Sequence, residues 1–397
     1  MKKFALLTTP FLCMSAIALH ADSLGEISKV DSEYTQSSQM IGDSSGQYNA
    51  RPAAKNGSVK QGDSREMRDI TPQAPPQVTN WADPYLTAEF IYWKAYEENI
   101  HYAYTGAIST TTANASEGRV KSPDFGFEPG FKLGFGLKFN HDGWDLYGNW
   151  TWLNEFDGHS HVGSGANSVA HGAYHTVTTA SPGVLGDLTA NTFHTDWTMH
   201  FNALDLELGR NFYISPRLTL RPHFGLKFGW VNQNYHVKMS DFSVLEGVTG
   251  LIPPSAASVK MEQDFFGVGL RTGLDTVWYF AKHWGLYADF AFAALWSSFD
   301  THRTDHLAGI DAVTTLEVAK VQNLHVKRDL NTLTEVLELG MGFRYDTTFF
   351  LGDYDFYIQA GWEEQIWFNQ NQFLDTVDTR TGNLTFQGLT VKTGIMF

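Results

Sequence analysis

The chain has 397 residues, a formal net charge of −15, and 29 Phe, 16 Tyr and 12 Trp beside 36 Gly. A nucleic-acid binder would carry a basic excess, so nucleic acid is excluded as a partner. The one cysteine, Cys13, lies in an N-terminal leader, which leaves the mature chain without a disulfide framework or a thiolate nucleophile.

Lys2 and Lys3 precede an apolar stretch from Phe4 to Leu19, with small residues at Ala16, Ala18 and Ala21. This pattern predicts a signal peptide over residues 1–21, cut after Ala21 or, alternatively, after Ala18. The residues before Cys13 lack the small side chain expected of a lipoprotein site. Residues 22–83 are polar, with Ser38, Ser44, Ser45 and Gly46 clustered and Pro72, Pro75 and Pro76 near the end. They predict a flexible extension, either periplasmic or inserted in a lumen. No later segment offers the roughly 20 uninterrupted apolar residues of a membrane helix.

From Pro84 onward the pattern has a period of two. A first strand covers Leu86 to Tyr92, with Glu89 on its polar face. Phe131, Leu133, Phe135, Leu137 and Phe139 then alternate with Lys132, Gly134, Gly136 and Lys138, a separation that a helix would not produce. A turn at residues 140–143 leads to Trp144, Leu146, Trp150 and Trp152, alternating with Asp145, Tyr147, Asn149 and Thr151. Leu204, Leu206 and Leu208 alternate with Asp205 and Glu207. After a turn over 209–217, Leu218, Leu220, Phe224, Leu226, Phe228 and Trp230 alternate with Arg221, His223 and Lys227. Phe266 to Leu274 carries Arg271 and is followed by Asp275. Leu286 to Trp296 carries Asp289, Leu337 to Tyr345 carries Glu338 and Arg344, and Phe356 to Trp362 lies between Asp355 and Glu363. The last strand ends at Phe397, with Leu389, Val391, Ile395 and Phe397 on one face and Thr390, Lys392 and Gly394 on the other.

This reading gives ten strands, joined alternately by short turns and by long segments near 95–128, 154–196, 231–264, 297–331 and 368–383. The expected fold is a closed antiparallel transmembrane β-barrel over residues 84–397, with short periplasmic turns and long external loops. Alternation within Tyr235–Leu245 and Leu316–Val326 leaves 12 to 16 strands as an alternative. A soluble sandwich would show the same alternation. The membrane is favoured by aromatic residues near strand ends, at Tyr92, Trp144, Trp152, Trp230, Trp284, Trp296, Tyr345 and Trp362, which suit a membrane–water boundary.

The opposite face mixes charges of both signs, as a hydrated lumen allows. Glu89, Asp205, Glu207, Arg221, Lys227, Arg271, Asp275, Glu338 and Arg344 are the candidates for shaping its field and ion selectivity. Lys132, Lys138, Asp145, Asp289, Asp355 and Glu363 share that face. Its many glycines, including Gly134, Gly225 and Gly342, fit either an open passage or packing around a closed pore.

The stretches LTAEFIYWKA from Leu86, PGFKLGFG from Pro129, GWDLY from Gly143, NALDLELGRNF from Asn202 and SPRLTLRPHFGL from Ser215 resemble the major outer membrane protein family of Legionella and environmental chlamydia-like bacteria. The resemblance extends in weaker form from about residue 84 to Phe397, and it implies an abundant, porin-like surface protein. Phe397 also resembles the C-terminal aromatic signal read by the barrel assembly machinery. No catalytic site or cofactor follows from the resemblance.

The leading functional expectation is a porin passing ions and small hydrophilic solutes by passive diffusion, in contact with outer-membrane lipids and able to form a homo-oligomer. Ten strands enclose little space. The first alternative is therefore a surface adhesin or structural barrel with a closed lumen. A barrel protease or lipid hydrolase is the weaker alternative. His159, His161, His171 and His175, near Asp157, read as one polar loop without metal-ligand spacing. His302 with Asp305, or His223 beside inward charges, would need a fold distance to act as an acid–base pair. No phosphate- or dinucleotide-binding fingerprint follows a suitable strand.

Overall fold

The computed structural model describes residues 81–106, 118–140, 142–163, 169–172, 189–243, 255–310, 317–349, 354–375 and 380–397. The expected leader, the expected extension as far as residue 80, and His175 lie outside them. The strands are β1 (Ala82–Glu97), β2 (Ala103–Gly106), β3 (Gly118–Lys121), β4 (Phe127–Phe139), β5 (Trp144–Gly163), β6 (Val169–Gly172) and β7 (Thr189–Arg210). They continue with β8 (Phe212–Ser215), β9 (Leu218–Ser243), β10 (Ala256–Tyr279), β11 (Trp284–Ile310), β12 (Glu317–Phe349), β13 (Tyr354–Asn371) and β14 (Gly382–Met396).

Ten of them form an antiparallel ring in the order β1, β4, β5, β7, β9, β10, β11, β12, β13, β14. The ring closes where β1 meets β14, from Tyr85 opposite Met396 to Glu97 opposite Leu384. Closure leaves none of the ten with a free edge. The short β2, β3 and β6 extend one side of the wall beside β7, and β8 pairs with β9. The connections from β4 to β5, β7 to β9, β10 to β11 and β12 to β13 are short, and the strand ends they join share one rim with both barrel termini. In an outer-membrane barrel this is the periplasmic rim. At the first turn Gly143 takes a left-handed backbone, φ 73°, beside Asp142 at 59°.

The register agrees with the alternation. Phe135 and Leu339 are exposed on the outer wall, while Glu338 is buried inward and Lys138 lines the inner cavity. All eight expected belt residues face outward: Trp296, Trp284, Trp362, Tyr92 and Trp230 are exposed, and Trp144, Trp152 and Tyr345 are half-exposed.

Strand length corrects the sequence reading. The described parts of the expected loops at 154–196, 231–264 and 297–331 are largely strand, since β5, β7, β9, β10, β11 and β12 run far past the points where the outer apolar face ends. Residues 235–243 and 317–326 prolong β9 and β12, so they add length and no barrel strand. The ring therefore has ten strands, and the 12-to-16-strand alternative is not realised.

Candidate functional site

The inward face of the periplasmic half is built from charges set by strand parity. Because Leu204, Leu206 and Leu208 meet the outer environment, Asp205 and Glu207 point inward from β7, and the same parity turns Arg221, His223 and Lys227 inward from β9. Asp205 stands directly opposite Lys227, and Arg221 opposite Asp275 on β10. Gly225 lies in one row between Glu207 and Arg271. A Cβ there would come 1.8 Å from the Leu206 carbonyl oxygen, so the position accepts only glycine, and the flanking Glu207 and Arg271 side chains meet across it.

The resulting network is continuous. The Arg221 guanidinium donates to Asp145 (2.5 Å), Glu207 (3.0 Å) and Asp275 (2.7 Å). Arg271 bridges Glu207 and Glu338, the latter at 2.6 Å, and Lys227 bridges Asp205 at 2.9 Å and Glu338 at 2.6 Å. A second group forms around the closing seam. Lys392 contacts Glu89 at 2.9 Å, and Lys132 sits 2.5 Å from Glu363 and 3.9 Å from Glu89. Buried charges of this kind persist only when paired and hydrogen-bonded.

Eight of the nine sequence candidates thus fall into these two groups. Arg344 does not: it sits nearer the rim, bonded to Asp346 at 2.7 Å and stacked 4.0 Å from the Tyr357 ring. The partners Asp145, Lys132, Lys392, Glu363 and His223 were outside the candidate set. Opposite charges on facing strands were a usable signal for Asp145 and Lys132, whereas Lys392 meets Glu89 only once the ring is closed. A cavity of about 310 Å³ lies within this half, lined among others by Tyr85, Asp289, Lys138 and Arg344.

Above the charges the lumen changes character. Trp93, Phe201, Phe265, Trp367 and Phe386 point inward and are at most 3% exposed. Phe201 lies 4.6 Å from Phe386 and 5.4 Å from Trp367, ring centre to ring centre. Lys132 and Lys227 sit under this layer, 4.7 Å from the Trp93 ring and 5.5 Å from the Trp367 ring. Farther out, the segment after β13 folds into the mouth. Phe373 is wholly buried, Gln263 accepts from the Gln372 N–H at 2.7 Å, and Arg303 donates to the Leu374 carbonyl at 3.1 Å.

Luminal glycines serve this packing. An added Cβ at Gly134 would strike the Tyr147 hydroxyl at 2.1 Å, and one at Gly229 would strike Trp367 at 2.7 Å. At these two positions the missing side chains are replaced by neighbouring rings.

Among the described residues, Glu207, His223 and Asp275 have potential ligand atoms within 4.8 Å of one another. Their chemistry does not suit a metal. Arg221 holds both carboxylates, Arg271 also contacts Glu207, and His223 presents Nδ1 to Glu207 at 3.7 Å but Nε2 to Asp275 at 3.4 Å. The other acid–base pairing fails on parity: His302 faces outward beside Asp300 (3.0 Å), whereas Asp305 faces inward on Arg303 (2.7 Å). His159 and His161 belong to β5 and not to a loop, and His171 lies in β6.

The model of the family described as the Legionella pneumophila major outer membrane protein precursor matches residues 73–397. The chain belongs to that family. Membership places it in the bacterial outer membrane and agrees with a non-enzymatic role. No curated protein matches the chain. Among solved structures, the outer membrane protease OmpT from Escherichia coli is similar at 11% identity and a TM-score of 0.35, covering 79% of this chain and 96% of that one. The toluene transporter TodX of Pseudomonas putida is similar at 9% identity and a TM-score of 0.25, covering 79% and 89%. A Pseudomonas aeruginosa FadL homologue gives 11%, a TM-score of 0.24, and coverage of 80% and 90%. These likenesses are too distant to bear on activity.

Proposed function

We propose that this family member is a major surface barrel whose lumen forms a gated, weakly conducting route for ions and small hydrophilic solutes. The observation that carries the reading is the division of the lumen: a charge-lined vestibule ends against a packed layer of Trp93, Phe201, Trp367 and Phe386. A standing pore would keep a polar column from rim to rim. Here passage requires those rings and the inserted segment around Phe373 to move aside. The vestibule supplies the field. Asp145, Asp205, Glu207, Asp275 and Glu338 outnumber Arg221, Lys227 and Arg271, which favours cations. The outward aromatic residues, Trp230 and Trp284 among them, anchor the wall at the two membrane boundaries.

The same packing favours a second reading, a surface structural barrel sealed for good. Planar-bilayer recordings of the full chain separate the two. On the gated reading the wild type gives small, brief openings, and the Trp367→Ala/Phe386→Ala double variant gives larger, sustained conductance with a cation-biased reversal potential in a salt gradient. Silence from both chains, each folded and inserted, would leave only the sealed barrel.

A further inference from the structure

The outer wall beyond the membrane carries a second group of side chains with chemistry of their own. The β5 register shifts between Leu153 and Phe156. Up to Leu153 the odd-numbered residues of β5 point into the lumen; after the shift Phe156 does, and Asp157, His159 and His161 face out. A bulge that re-aims side chains in this way often accompanies a functional site. The neighbouring β7 places Asp196 directly opposite His159, and His194 opposite His161.

We propose that His159, His161, His194 and Asp196 form a surface site for a divalent transition-metal ion of the zinc class, bridging β5 and β7. His159 Nδ1 is 3.0 Å from Asp196 Oδ1, and His194 Nε2 is 3.3 Å from the same oxygen. Tetrahedral zinc with bonds of about 2.0–2.1 Å sets its ligand atoms roughly 3.3 Å apart, close to these separations. The His161 and His194 ring centres lie 6.2 Å apart. All three rings are exposed, and binding an ion would turn them toward one point, since among the described residues only the luminal trio already has three ligand atoms within 4.8 Å of one another. Three imidazoles and a carboxylate match the ligand preference of zinc, nickel and copper. Adjacent paired strands hold them on a rigid base.

The surroundings suit a dication. Asp157 lies 2.9 Å from the other ring nitrogen of His159, and Lys238 of β9 takes the second oxygen of Asp196 at 3.4 Å. Two carboxylates against one ammonium leave the cluster negative. The luminal Glu207, His223 and Asp275 differ here, since guanidinium groups already occupy their carboxylates. No single segment reveals the outer site, because its ligands come from two strands whose pairing is set by the barrel.

Zinc chloride titrated calorimetrically into the untagged, metal-stripped full chain in detergent tests the proposal. One saturable ion per chain is expected. His194→Ala and Asp196→Asn should each weaken it at least roughly tenfold, a loss typical even of groups that only support a metal site. His302→Ala and His325→Ala, elsewhere on the outer wall, should leave the titration unchanged. Copper(II) in place of zinc should show imidazole nitrogen coupling by electron paramagnetic resonance in the wild type. Absence of saturable binding, absence of that coupling, or equal loss in the His302 and His325 variants would overturn the site.

Discussion

The periplasmic and outer lengths of the same strands follow opposite rules. In β9, Phe224, Leu226 and Trp230 lie on the outer face while His223 and Lys227 point in; a few residues later Val231, Tyr235, Val237 and Met239 are buried inside, and Asn232, Asn234 and Lys238 are exposed outside. The exchange recurs in β7, where outward Leu206 gives way to inward Phe201 and Trp197, and in β13, where outward Trp362 is followed by inward Trp367. The backbone register of β9 against β10 continues unbroken through the change. What changes is the solvent. Hydrocarbon around the lower wall drives polar groups inward, and water around the upper wall drives them out, so the upper barrel has the core of a soluble protein.

Each half should fail by its own physics. Removing the Arg271 guanidinium with Arg271→Ala leaves Glu207 and Glu338 short of a buried partner and should cost about 3–5 kcal/mol. Phe201→Ala in the upper core should cost a similar ~3–5 kcal/mol through a cavity. Denaturant titrations in micelles would measure both, and salt should alter the first more than the second. If both losses respond equally to salt, the halves are not held by different forces.

A pair of substitutions on one face of β9 sharpens the contrast. Leu226→Lys lies within the hydrocarbon band and should destabilise insertion by roughly 2–4 kcal/mol. Asn234→Lys, on the same face of the same strand, should stay within about 0.5 kcal/mol of wild type, as exposed changes do. Folding into lipid vesicles, followed by heat-modified gel mobility, compares them directly. Equal losses would remove the boundary placed near Trp230.

The smallest effect concerns pH on the outer wall. The hydrogen bond that His159 donates to the Asp196 carboxylate holds its imidazole above its ordinary value. A raised folded value means the interaction stabilises the barrel fully below the unfolded-state pKa and is lost as pH rises through the folded one. Histidine ring resonances of the metal-free chain should therefore show His159 titrating above the usual imidazole range, and Asp196→Asn should bring it down.

The exchange of faces also explains what the sequence concealed. Each lower strand announces itself because apolar residues recur every second position, as in Phe131 to Phe139. At Val231 or Phe201 the apolar residues move from one parity to the other, the alternation breaks, and a continuing strand reads as a loop. Nothing in the period tells which solvent lies outside. Within the lumen, the charged residues on strong lower strands were legible from parity, but their grouping was not. Lys392 joins Glu89 only through closure, and His223 carries no pattern that separates it from any other inward polar residue. The His159–Asp196 pairing needed the bulge in β5, which no local composition marks.

The seam between β1 and β14 has a consequence for how such a chain is made. Every other neighbour in the ring is reached by the next hairpin along the chain, whereas Tyr85 must find Met396 across nearly the whole sequence. The wall can grow strand by strand, but until its final strand docks β1 presents a row of unpaired amides and carbonyls. The carbonyl of Pro84 waits for the amide of Phe397 itself. An unfinished barrel therefore has a sticky front edge throughout its growth, and a chaperone that covers that edge and hands it to the last strand would act at the one step the hairpins cannot perform for themselves.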